Sequence, residues 1–167
     1  MRKENGILPK ALRCINARKD KWAIVWGGEP CEDSDNFDYM EEVFDHKPTL
    51  QEIHATIDAY YNGLVDEKIA TGYEWHGTPV YLSMENQINF KAAHDLCVQN
   101  GSVLGGALKF KLSEDENGIP VYYTFTELAE LGEFYSGAVA FINTCLNEGW
   151  AKKDSVDWKQ YKDDKHE

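Results

Sequence analysis

From residue 49 onward the apolar positions follow two alternating rhythms. Leu50, Ile53, Ile57, Tyr60, Tyr61, Leu64 and Ile69 recur at three- or four-residue steps, which is the spacing of one buried helical stripe. Thr49 followed by Glu52 has the reciprocal form of a capping box, and Gly72 can stop the helix. Gly63 inside that pattern lowers helix propensity, so a close contact or a bend is expected at its turn. At residue 73 the period changes. Tyr73, Trp75, Val80 and Leu82 are strand formers on either side of His76-Gly77, a dipeptide suited to a hairpin reversal, and Ser83 caps a second helix. That helix is predicted over 84–100, with Met84, Ile88, Ala92 and Leu96 as its stripe and Asn100-Gly101 as its stop. Residues 107–112 alternate as a half-buried strand does, 115–118 form a turn, and 119–125 return as its partner. Thr124 with Glu127 repeats the capping signature. Phe125, Leu128, Leu131, Tyr135, Ala138, Ile142 and Cys145 or Leu146 then descend one helical face to Gly149.

Ahead of this core, 11–18 and 21–26 are β-leaning runs joined at Lys19-Asp20, a hairpin pattern. Residues 27–36 collect Gly, Pro, Ser, Asn and four acids and read as a solvated loop, while 37–44 supply a third strand. Near the end, Val156, Trp158 and Tyr161 suit one helical turn with Trp158 packed back on the core. The order from residue 49 is therefore α-ββ-α-ββ-α, preceded by a small N-terminal β region. Strands joined by tight turns are antiparallel, so the expected class is α+β. The expected organisation is an N-terminal β-rich arm or subdomain over 1–47, an α+β core domain over 48–160 and a frayed tail over 161–167.

Composition narrows the function more than the fold. With 167 residues, 43% hydrophobic and 13% aromatic, the chain has the size and apolar content for a single buried core. A net charge of −12 opposes binding to a phosphate backbone, so nucleic acid is not an expected partner. Cys14, Cys31, Cys97 and Cys145 are scattered, with no CxxC pair, and reduced thiols in a cytoplasm are the simpler reading. No apolar run has signal-peptide length, and none approaches the roughly 20 residues of a membrane span. The protein is expected in the cytoplasm, or in a virion assembled there.

Candidate chemistry is sparse. Gly105-Gly106 lacks the Lys-Ser/Thr and the strand-to-helix setting of a phosphate loop. Cys97 lies one turn from His94, but a buried thiol beside a surface imidazole is the commoner arrangement. His54 with Asp58, and Glu74 with His76, are pairs where a zinc centre needs three or four converging ligands. Glu32, Asp33, Asp35 and Asp38 lack the glycine and the final Glu of a calcium loop. No catalytic residue, metal or cofactor is therefore assigned, and a non-enzymatic role is expected. The aromatics carry more. Tyr60-Tyr61, Tyr73, Trp75, Tyr81 and Tyr122-Tyr123 include adjacent pairs whose members point to different faces, so one core cannot easily hold them all. Tyr73, Trp75, Tyr81, Tyr60 and Tyr61 are accordingly the interaction candidates. Tyr73, Trp75 and Tyr81 serve as hairpin anchors for a protein partner or a second copy, and a homo-oligomer is expected. A sugar-binding platform is the sharper alternative use of the same rings.

The string GYEWHGTPVYLSMENQINFKAA, followed by VYYTFTELAELGEFY and GWAKKDSVDW, resembles a domain of unknown function found in phage and prophage proteins, often encoded among tail genes. The likeness spans roughly residues 50–158. Its specific parts are the LSMENQ-NFKAA segment and the TF-x-x-L-x-x-L-x-x-FY segment. The family has no established activity, so the resemblance transfers no catalytic residue. It implies a phage or prophage structural or assembly accessory protein, tail-associated, with a tail or fibre chain as partner. The alternative is an acidic decoy that imitates DNA to occupy a host nucleic-acid-binding protein, motivated by the net charge and the acids at 32–38.

Overall fold

The computed structural model describes residues 1–162. The fold is α+β, with antiparallel strands and, among the described residues, three α-helices in the order expected from residue 49 onward. It forms two compact units, Met1–Tyr61 with the chain from Ala151, and Asn62–Trp150. Each has its own apolar cluster, where one core was expected. The units do not part at residue 47, because Ile53, Ile57 and Tyr61 belong to the first cluster.

The first unit is built on a sheet of β1 (Arg2–Gly6), β2 (Leu12–Asn16), β3 (Lys21–Pro30) and β4 (Phe37–Phe44), in the order β1-β4-β3-β2. β1 was not anticipated, since Arg-Lys-Glu-Asn-Gly has no apolar alternation. Cross-strand polar contacts hold it instead: Lys3 Nζ lies 2.6 Å from Asp38, and Asn5 Nδ2 donates to the same carboxylate at 2.6 Å. The loop expected over 27–36 is shorter than its composition suggests. β3 continues through Pro30, and Gly27 at φ 64° accommodates a shift of register between Trp26 and Glu29. Ile24, Trp26, Met40 and Phe44 face Ile53, Ile57 and Tyr61 of helix α1 (Leu50–Thr71). The predicted capping box is formed: Thr49 N donates to Glu52 Oε2 at 2.7 Å, and Glu52 N to Thr49 Oγ1 at 3.3 Å. A 3-10 turn, Trp158–Tyr161, is the last element of the unit among the described residues. Tyr161 is not frayed but buried, its hydroxyl donating to Val25 O at 2.7 Å. The expected tail from 163 onward lies outside the described residues.

In the second unit β5 (Tyr73–Trp75) and β6 (Thr78–Val80) form the predicted hairpin, with His76 at φ 49° and Gly77 at φ 75°, the positive pair a two-residue turn requires. Helix α2 (Met84–Asn100) is capped by Ser83, which accepts from Asn86 N at 3.3 Å. β7 (Leu108–Glu114) and β8 (Pro120–Phe125) form the second hairpin, and Tyr81 N donates to Leu112 O at 2.7 Å to join the two. Helix α3 (Leu128–Asp154) completes the unit. Thr124 does not cap it, being paired with Lys109 inside β8. Nor does Gly63 mark a close contact, since a Cβ there would meet open space. The stripe of α1 also runs differently in this unit: Leu64 is exposed, and Val65 and Ile69 pack on the second core.

Gly149, expected to end α3, lies buried within it. A Cβ there would overlap Val65 Cγ2, so the glycine lets α1 and α3 approach. Gly149→Ala is expected to destabilise the protein by about 1 kcal/mol, the overlap outweighing the gain in helix propensity. Urea denaturation of Gly149→Ala with and without Val65→Ala should show the two changes strongly non-additive. Simple additivity would refute the contact.

Candidate functional site

Three of the five aromatic candidates serve packing. Tyr61 lies in the first core, and Tyr73 and Trp75 in the second. Burial raises the Tyr61 and Tyr73 phenols above their usual pKa. Tyr73 spends its hydroxyl on Phe134 O at 3.0 Å, and Trp75 packs edge-on to Phe134 at 5.4 Å. Neither is presented to a partner as an anchor. Tyr60 is half-buried against Trp26, 5.6 Å away in a T-shaped contact. Tyr81 alone of the five is open, at 50% exposure. Alternation along β5 explains this, because Tyr73 and Trp75 share the inner face while Glu74 points out.

Cys97 is fully buried, whereas the His94 ring stacks on Tyr135 at 4.5 Å with Nδ1 3.4 Å from Asp95. His54 stacks on Trp158 at 3.6 Å. Asp38 is committed to Lys3 and Asn5, whose hydrogen bonds hold its carboxyl below the usual range. Among the described residues, no three His, Cys, Asp or Glu side chains stand together as a metal site.

One polar cluster was not legible in the sequence. The Tyr123 hydroxyl donates to Glu130, and the His76 ring stacks on Tyr123 at 6.0 Å with Nε2 3.9 Å from the same carboxylate. The bond to Glu130 raises the phenol's pKa, which keeps Tyr123 protonated and unsuited to nucleophilic work. A larger cleft, of about 570 Å³, lies between the start of α2 and β7. Its polar groups largely satisfy one another: Asn86 Nδ2 donates to Tyr81 O at 2.7 Å, and Lys111 pairs with Glu114 at 2.5 Å.

The least expected surface is α2 itself. Met84, Ile88 and Leu96, predicted to face the core, are 71%, 60% and 48% exposed, and Ala92 between them is exposed too. The core takes the opposite side. Phe90 packs on Phe110 at 4.6 Å and on Phe134 at 5.2 Å, with Ala93 and Cys97 beside it. Phe90, Ala93 and Cys97 also recur at helical steps, so the sequence carried two stripes, and the larger aromatic contact decided which turned inward. Beside the outward stripe, Met84, Ile88, Tyr135, Val139 and Ile142 line an apolar groove of about 220 Å³. No helix among the described residues is long and apolar enough to cross a membrane. Comparison with known proteins finds no matching family model, no matching curated protein and no matching solved structure.

Proposed function

We propose that the protein is a non-enzymatic phage or prophage structural or assembly accessory, tail-associated, that works by protein contact in the cytoplasm or in the assembled virion. The phage context comes from the sequence resemblance alone. What carries the contact role is the outward apolar stripe of α2 with its groove. Long apolar side chains aligned over successive helical turns and left exposed are the form of a helix-binding or groove-binding surface. The decoy alternative has less behind it, because Asp38 is paired with Lys3 and Asn5 and leaves Glu32, Asp33 and Asp35 as a short acidic run.

Capture from lysate of a phage-induced host, with bound chains identified by mass spectrometry, tests the reading. Tail or fibre chains are expected on the native protein and should be lost with Met84→Lys. Capture of a host nuclease or regulator instead would overturn the assembly role in favour of the decoy. Tail chains held equally by Met84→Lys would overturn the assignment of the surface.

A further inference from the structure

We infer that the outward face of α2 is a self-complementary seam, and that its occupant is a second copy of α2 packed antiparallel across a two-fold axis near Ala92. The inference rests on the reading of this face as an interaction surface and makes the dimer, rather than the single chain, the form that engages tail chains.

Met84, Ile88, Ala92 and Leu96 lie on a single i, i+4 ridge, the kind that interdigitates with another such ridge when helices pack. All four are exposed, and the only small residue, Ala92, sits between two large ones. An antiparallel copy centred on Ala92 brings the two alanines together at the point of closest approach. It also sets Ile88 against the partner's Leu96, and Leu96 against the partner's Ile88. A two-fold interface demands this reciprocity, in which each residue's counterpart also faces it from the other chain.

Charge selects the same partner. Lys91 and Asp95 run along one flank of the ridge, 2.5 Å apart within the chain. The two-fold axis near Ala92 keeps like flanks together and reverses the helix direction. Lys91 therefore approaches the partner's Asp95, and Asp95 the partner's Lys91. In a chain of net charge −12, two copies repel across most of their surfaces. Here the ridge is apolar and its flank carries one cation and one anion in reciprocal register, so the local field favours association of like chains.

Sedimentation equilibrium of the full chain over micromolar to high micromolar concentration tests the seam. A mass of two chains is expected. Ile88→Glu should weaken dimerisation by about a hundredfold or more, since it removes an apolar side chain from each half of the seam. Its circular dichroism should be unchanged, because Ile88 is largely exposed. Lys91→Asp and Asp95→Lys, each alone, should weaken the dimer by placing like charges opposite one another, and the two together should restore it. A monomer at every concentration, or a dimer indifferent to Ile88→Glu, would overturn the inference. A dimer broken by the single swaps but not recovered by the double would overturn the antiparallel register. A monomer whose capture of tail chains is still lost with Ile88→Glu would refute the self-seam and leave the assembly role standing. A monomer whose capture is untouched would refute the self-seam and the assignment of this surface, and leave the assembly role standing.

Discussion

Phe134→Ala should destabilise the protein by about 3–5 kcal/mol, as expected for deletion of a fully buried aromatic ring. Phe134 is wholly inaccessible and occupies the centre of the second core. Its ring lies 5.1 Å from Phe125, 5.2 Å from Phe90, 5.4 Å from Trp75, and 6.1 Å from both Phe110 and Tyr73. These neighbours come from α2 and both hairpins, so the ring is the shared contact of elements distant in sequence. Its removal forfeits the transfer energy of the ring and leaves a cavity among aromatic side chains that cannot all collapse inward. Edge-to-face geometry, as with Trp75 at 85° and Phe90 at 76°, adds a further contribution beyond burial. Urea denaturation followed by tryptophan fluorescence is the direct measurement, since Trp75 reports on the same cluster. Phe134→Leu, which fills part of the space, should lose clearly less. A loss under about 1 kcal/mol for the alanine variant, well below the range for such deletions, would show that the ring is not a keystone of this core.

Legibility in the sequence tracked how local each signal was. The hairpin turn at His76-Gly77, the caps at Thr49 and Ser83 and the stop at Gly101 depend on a few adjacent residues, and each is formed as the pattern indicates. Periodicity located the helices but did not always settle which face is inward. On α2 the stripe at Met84 and the stripe at Phe90 compete, and only three-dimensional packing against Phe110 and Phe134 decides between them. β1 was invisible because its residues are polar and are recruited by β4, a partner more than thirty residues away. Gly149 looked like a helix end because glycine usually marks one, yet here it admits Val65. The candidate site shared this fate. Trp75 was a plausible anchor by type and became a core residue by alternation, while the surface that replaced it came from residues expected inside.

Glu41→Ala is the second large effect, about 1.5–3 kcal/mol of destabilisation, the range for lost hydrogen bonds to a charged group, because the arginines left behind keep 64% and 38% of their side chains in water. Glu41 is 2% exposed. Register explains its company, for Arg2 on β1 stands directly opposite it. On its other side Val25 of β3 faces Glu41, and Arg13 of β2 faces Ala23 two positions along, so all three side chains share one face. Arg2 Nη2 donates to Oε1 at 2.6 Å and Arg13 Nη2 to Oε2 at 2.5 Å. Burial alone would raise the carboxyl's pKa, but the hydrogen bonds and charges of the two guanidinium groups together hold it below its ordinary value of 4.5. That depression sets the sign of the pH effect. A carboxyl depressed on folding contributes stability that is complete above its unfolded pKa and is lost as pH falls through the folded value. Glu52 acts in the same sense, drawn down to about 2 by the amide and hydroxyl of Thr49. Stability should therefore decline as pH falls below about 4.5, with the Glu52 share going between there and about 2. Glu41→Gln should start less stable at neutral pH and fall less steeply in acid, because its amide does not titrate. If urea midpoints of native and Glu41→Gln proteins run parallel from pH 6 to pH 3, the buried carboxylate is not the group that titrates, and the two arginines contribute through packing instead.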